Sequence, residues 1–230
     1  MNNKAILCIN QIRRYFDLNK ANIKVLESIS FNICLGEFIY IYGPSGSGKS
    51  TLLHLIAALD EPTSGDISFN EKSIFKDMNK IEQANFRREI IGFVFQSNHL
   101  LPDFTALQNV ALPLILQGIS KKQALRKASE HLSKFNLNDR ILFKPSELAK
   151  GEQQRVGIAR ALITNPQIIL ADEPSGSLDY QNREQLKDIF LELRDDFKKE
   201  KSFIIVSHDR TFENIATKVY ELRNGILVDN

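Results

Sequence analysis

A chain of 230 residues with 43% hydrophobic and 25% charged residues has the composition of an ordinary globular protein, not of a disordered or membrane-embedded one, and is long enough for one domain of ~100–200 residues with an added lobe. Its formal net charge of +2, with acids and bases interleaved, excludes the one-sided basic footprint of a nucleic-acid binder. The apolar runs at residues 52–59 and 110–116 fall well short of the ~20 residues that cross a bilayer. The opening MNNKAILCIN lacks an export-signal organisation, and Cys8 and Cys34, without CxxC spacing, read as reduced core thiols.

Strand-like runs occupy residues 6–12, 29–33 and 38–42. The third leads directly into the turn GPSGSGKST, and from Lys49 the sequence KSTLLHLIAAL carries helix formers until the turn signals Pro62 and Gly65. Residues 65–69 read as a strand, 85–91 as the end of a helix and 92–96 as a further strand. Residues 97–161 change character, with helical patterns at 121–135 and 152–162 and almost no strand signal, which predicts an inserted helical lobe. Strands return at 167–171 and 202–207, separated by an amphipathic helix from Tyr180 to about Lys199, the strand-helix-strand crossover of a parallel sheet. Residues 219–223 and 226–229 flank Asn224 and Gly225, a pair that favours a hairpin turn.

The segment formed by Gly43, Pro44, Ser45, Gly46, Ser47, Gly48, Lys49, Ser50 and Thr51 satisfies G-x-x-x-x-G-K-[ST] between a strand and a helix. In that setting the glycines let backbone N–H groups converge on phosphate oxygens, and the helix turns its positive end to the same anion. Lys49 supplies a point charge for the terminal phosphates of ATP, and the Ser50 hydroxyl is a candidate magnesium ligand. In IILADEP an apolar strand ends in two carboxylates: Asp172 is the candidate to hold Mg2+, and Glu173 to orient and deprotonate an attacking water. IVSHD ends another strand beside them, placing His208 near the γ-phosphate, whereas His54, His99 and His131 have no such placement.

With these motifs in order, the chain resembles the nucleotide-binding subunits of ABC transporters over essentially its whole length. GFVFQ puts Gln96 at that family's Q-loop, LAKGEQQRVGIARAL occupies its signature sequence, SGSLD its D-loop, and Phe16 the position of a ring that stacks on adenine. The resemblance implies an α/β P-loop NTPase core at about 1–96 and 162–230, a mostly parallel sheet flanked by helices with antiparallel strands at the N-terminal side, and a helical subdomain at about 97–161. It also implies ATP hydrolysis, with Gln96 joining the magnesium ligands and the catalytic set. A second copy of the chain, or a paired ATPase, would present Ala149, Lys150, Gly151, Glu152 and Asp179 to the ATP in trans. The implied location is peripheral, on the cytoplasmic face of the inner membrane, with integral membrane permease subunits as partners.

Segments 98–118, 151–162 and 59–67 are similar to the ATPase of the bacterial lipoprotein-release system and to its relatives, the macrolide and antimicrobial-peptide exporters. The end of the chain soon after the terminal hairpin favours the separate-subunit, lipoprotein-release arrangement; the related cell-division ATPase fits the long link between Phe16 and Val25 less well. The signature departs from LSGGE or LSGGQ, since Ala149 stands for the serine and Lys150 for the first glycine. Loss of a donor to a charged phosphate is worth ~1.5–3 kcal/mol. The expectation is therefore slow but surviving turnover, with a nucleotide-dependent dimerising module as the alternative and a soluble ATPase of DNA repair or translation disfavoured.

Overall fold

The computed structural model describes residues 4–18, 21–176, 178–196 and 200–229. In chain order these residues form β1 (Ala5–Leu18), β2 (Ala21–Cys34), β3 (Phe38–Tyr42), α1 (Lys49–Ile56), β4 (Ser64–Phe69), β5 (Lys72–Ser73), α2 (Lys80–Glu89) and β6 (Ile91–Val94). There follow α3 (Ala106–Leu116), α4 (Lys121–Ser133), α5 (Lys150–Leu162), β7 (Ile168–Asp172), α6 (Tyr180–Asp196), β8 (Ser202–Ser207), β9 (Lys218–Arg223) and β10 (Ile226–Asp229).

Strands β6, β7, β8, β3 and β9 run parallel in one sheet of order β10-β9-β3-β8-β7-β6, closed at one edge by antiparallel β10. The sequences of β3, β7 and β8 are buried at every position, as a parallel strand covered on both faces requires. Alternation divides them: Phe38, Tyr40, Ile169, Ala171, Phe203 and Ile205 face α5, α6 and the helical lobe, while Ile39, Ile41, Leu170, Ile204 and Val206 face α1 and the other sheet. That other sheet is antiparallel, of order β2-β1-β4-β5. The functional loops therefore leave the carboxyl ends of strands clamped by two apolar layers.

The expectations for the first two strands, for the link after Phe16 and for the cysteines need correction. The first two strands are much longer than residues 6–12 and 29–33, and pair from Ala5↔Cys34 to Leu18↔Ala21, so the supposed link after Phe16 is strand in its described part. Irregular pairing hid this, because Gln11 and Ser28 adopt φ of 48° and 60° and break the alternation on which the reading relied. Helix α3 lies within the expected helical lobe, although Pro113 removes an interior N–H donor. It forms because Thr105 and Gln108 make a reciprocal capping box and Val110, Ala111 and Leu114 are buried. The cysteines are half-buried rather than core, Cys8 falling between the buried Leu7 and Ile9. The expected helix end near Lys199 lies outside the described residues, within which no helix is long and apolar enough to cross a membrane.

Candidate active site

β3 delivers the chain to the glycine-rich loop, and Gly43 N–H donates to Ser207 O at 3.1 Å, seating the loop on the end of β8. A Cβ at Gly43 would lie 2.1 Å from Leu222 O, so no side chain fits there. Gly46 and Gly48 have φ of 80° and 101°, the region that glycine tolerates. A Cβ at Gly46 would meet nothing within 4 Å, so the loop backbone stands open to the cleft in front of it.

α1 starts at Lys49 with no side-chain cap on its N-terminus and no acid in its first turn. Its leading N–H groups and positive dipole end thus remain directed at that cleft. The Lys49 side chain is only 5% exposed; its Nζ donates to Gly43 O at 2.8 Å and Pro44 O at 3.0 Å and lies 3.4 Å from Glu173 Oε1. Ser47 Oγ is buried without a hydrogen-bond partner. An uncapped helix end, a buried ammonium and an orphaned hydroxyl around an open glycine backbone fit the phosphates of a nucleotide.

The carboxylates come from β7. Asp172 closes the strand and accepts from Ser50 Oγ at 3.0 Å. Burial pushes its carboxyl up, the Ser50 hydrogen bond opposes this, and the neighbouring Glu173 charge adds to the rise. This pair of hard oxygens suits a magnesium ion that keeps phosphate and water as its other ligands. Among the described residues no cluster of three or more His, Cys, Asp or Glu offers a metal site on its own.

Glu173 takes φ of 45° just beyond the strand, and its N–H donates to Val206 O at 2.9 Å. This turn carries its carboxylate across to β8, where Oε2 accepts from Ser207 Oγ at 3.0 Å and His208 N at 3.1 Å and lies 2.7 Å from His208 Nδ1. With its proton on Nδ1, His208 donates to Glu173 and leaves Nε2 for other partners. Tyr40 supports the same loop from below, donating its hydroxyl to Asp209 O at 2.6 Å, and burial raises its phenol pKa. Lys49, Ser50, Gln96, Glu173 and His208 line one cleft of about 350 Å³ together with Ser45, Gly46, Gly48, Thr51 and Val25.

Other residues singled out in the sequence lie away from that cleft. Phe16 is half-buried on β1, with the Arg14 guanidinium 4.5 Å from its ring centroid, and is not among the lining residues. Ala149 and Lys150 are exposed at the start of α5. Ala149 has no side-chain acceptor, so only the return half of a capping box exists there, Glu152 Oε2 accepting from Ala149 N at 2.9 Å. Burial works against the Glu152 carboxylate, but that bond and the Arg140 guanidinium at 2.9 Å hold its pKa below the usual range. Asp179 accepts from Asn182 N at 2.9 Å and Asn182 Nδ2 at 2.8 Å, and a Cβ on Gly151 would lie 2.4 Å from Asn182 Oδ1. The D-loop and signature segments thus touch within one chain. Sequence reasoning passed over Ser207, although it stands inside IVSHD, and Tyr40, which read only as an apolar strand position.

The sequence pattern described as ABC transporter matches residues 26–176. The chain is 44% identical over 223 residues to YvrO of Bacillus subtilis, an uncharacterized ABC transporter ATP-binding protein, covering 97% of this chain and 96% of that one. It is 41% identical over 227 residues to LolD of Saccharophagus degradans, a lipoprotein-releasing system ATP-binding protein, covering 99% and 98%. Among solved structures, the cassette MJ0796, dimeric in a post-hydrolysis state bound to ADP and Pi, matches with a TM-score of 0.87 at 35% identity over 97% of this chain and 98% of that one. The chain belongs to the ABC transporter family, as an ATP-binding and ATP-hydrolysing subunit.

Proposed function

We propose that this subunit works as a head-to-tail dimer whose ATP hydrolysis drives a membrane partner that releases lipoproteins from the inner membrane. The observation that carries the hydrolytic part is the convergence of Lys49, Ser50, Gln96, Glu173 and His208 on one cleft. In this reading the amides of residues 43–51 and Lys49 hold the phosphates, and Ser50, Asp172 and Gln96 hold Mg2+. The bound ion supplies charge neutralisation on the terminal phosphates. Glu173 accepts the proton of the attacking water, and His208 orients Glu173 and contacts the γ-phosphate. Lys49 must exchange its 3.4 Å contact with Glu173 for phosphate, which frees that carboxylate for the water. Phe16 stacks on adenine with the ring face that Arg14 leaves, worth ~1–3 kcal/mol.

The dimer accounts for the placement of Ala149, Lys150, Gly151, Glu152 and Asp179, which do not line their own chain's cleft. These residues close over the ATP of a second copy or of a paired ATPase. Both MJ0796 structures are dimeric, which supports the arrangement. A groove of about 490 Å³ between α2, β6, α3 and α5, with Phe93, Leu112, Pro113 and Leu116 in its walls, suits a helix of an integral permease subunit at the cytoplasmic face of the membrane. Nucleic acid has no part in this reading.

Lipoprotein release rests on the LolD relatives, which the chain matches almost end to end. A second cargo class, macrolides or antimicrobial peptides, is the alternative to it, since YvrO is as similar as the LolD proteins and its name gives no cargo. The third reading, a dimerising module with little hydrolysis, is favoured by the donor missing at Ala149. Purifying the intact complex from membranes and identifying copurifying subunits and cargo by mass spectrometry separates the first two: lipoproteins support release, peptides or macrolides support export. Steady-state ATPase of the complex against its Glu173→Gln variant separates the third, which predicts equal rates.

A further inference from the structure

Beyond β6 the chain enters the helical lobe through residues 95–99. Two successive non-glycine residues there are left-handed, Asn98 with φ of 56° and His99 with φ of 43°. Such a pair persists only where its surroundings over-determine it. What holds it is Arg160 on α5: Nη1 donates to His99 O at 2.7 Å and Nη2 to Asn98 O at 2.5 Å, one fork across two adjacent carbonyls. Partial burial lowers the guanidinium pKa, and among the described residues no acid offsets it, so these carbonyls are what compensates the half-buried cation. The Asn98 side chain is itself buried against α5, where a Cβ on Gly157 would lie 3.4 Å from its Oδ1.

Gln96 stands two residues before this turn, and Phe95 O accepts from Asn98 N at 3.1 Å, so the turn sets the direction in which Gln96 leaves β6. We propose that Arg160 is a positioning residue for ATP hydrolysis, holding the turn at residues 98–99 so that Gln96 stays at the mouth of the phosphate-loop cleft. The proposal rests on Gln96 serving the reaction, as read above. It adds a mechanical link: α5 carries the signature residues at its N-terminus and grips the Q-loop through Arg160, and both Arg160 and His99 line the groove that a permease helix would fill. Pressure in that groove then reaches Gln96 through a single side chain.

The test uses the purified full-length chain, with kcat and KM for ATP and the affinity for a fluorescent ATP analogue measured for wild type, Arg160→Ala, Arg160→Lys, Gln96→Ala and the Arg160→Ala/Gln96→Ala double variant. Arg160→Ala is expected to lower kcat roughly 10- to 100-fold, the scale of a misplaced catalytic group, with analogue affinity nearly unchanged. Arg160→Lys keeps a cation but not the fork, and is expected to lose kcat while its melting temperature stays near wild type, which answers the question if the alanine variant folds poorly. The double variant is expected to be no slower than Gln96→Ala alone, because Arg160 acts through Gln96. Wild-type kcat in folded Arg160→Lys and Arg160→Ala, or a double variant slowed by the product of both single effects, overturns the proposal. If Gln96→Ala is slow and the Arg160 variants are not, the role of Gln96 stands and this inference alone falls; if Gln96→Ala keeps wild-type kcat, both fall.

Discussion

The phosphate loop and the signature segment are built in opposite ways. Around the first, Lys49 is 5% exposed and Glu173 makes four polar contacts, one each with Lys49 and Ser207 and two with His208. At the second, Ala149 and Lys150 face outward at the start of α5. A braced carboxylate cluster beside an outward-facing helix start teaches that rigidity is invested where charge is handled; under the proposed dimer the exposed half acts only against an opposing chain. Breaking each half separately tests this contrast.

The largest effect belongs to the braced half. Glu173→Gln keeps the shape but cannot take a proton, and is expected to lower kcat at least about 100-fold while leaving ATP binding intact. Steady-state ATPase and nucleotide titration check this; a loss below tenfold would remove Glu173 as the base.

Next comes the one tight point of the other half. Gly151→Ala forces a methyl to within 2.4 Å of Asn182 Oδ1, and is expected to cost ~1–3 kcal/mol in denaturant unfolding although alanine is the better helix former. Adding Asn182→Ala removes the obstruction and should recover part of the loss. No recovery would mean that this contact is not what demands glycine.

Most of this was legible in the sequence, for identifiable reasons. GPSGSGKST, IILADEP and IVSHD could be read because each joins an apolar strand to residues whose chemistry is specific, and adjacent parallel strands bring such ends together. Arg160 could not be read, since its role lies in two carbonyls some sixty residues away whose left-handed backbone has no sequence mark beyond an Asn-His pair. Strands β1 and β2 were half-read because bulges break the period of two.

A smaller gain is expected from repairing the bare helix end. Ala149→Ser supplies the absent acceptor for the first turn of α5 and should stabilise the protein by ~0.5–2 kcal/mol; with the serine also facing a partner's phosphate, ATPase should rise as well. Thermal unfolding and turnover read the two effects separately. Stabilisation without faster turnover would confine Ala149 to a local structural role.

The smallest effect lies on α4, at His131, whose pKa is pushed down to about 4 from 6.5 by burial and by the charges of Lys134 and Lys201. The unfolded chain takes up this proton before the folded one does. Stability is therefore unaffected above about pH 6.5 and falls as pH drops from there towards 4. His131→Gln should flatten that part of the stability profile in denaturant titrations at several pH values; an unchanged slope would exclude His131 as its source.

The central claim is that each active site joins the phosphate loop of one chain to the signature of another, and mixing two variants tests it most directly. Glu173→Gln damages only the phosphate-loop half, and Ala149→Glu, at an exposed position, sets a negative charge only on the signature half. Each variant alone is predicted to be nearly inactive in steady-state ATPase. An equimolar mixture is predicted to regain activity well above either, because each mixed dimer assembles one undamaged site from two damaged chains. Wild-type turnover by Ala149→Glu alone, or a mixture no faster than the sum of its parts, would contradict the claim.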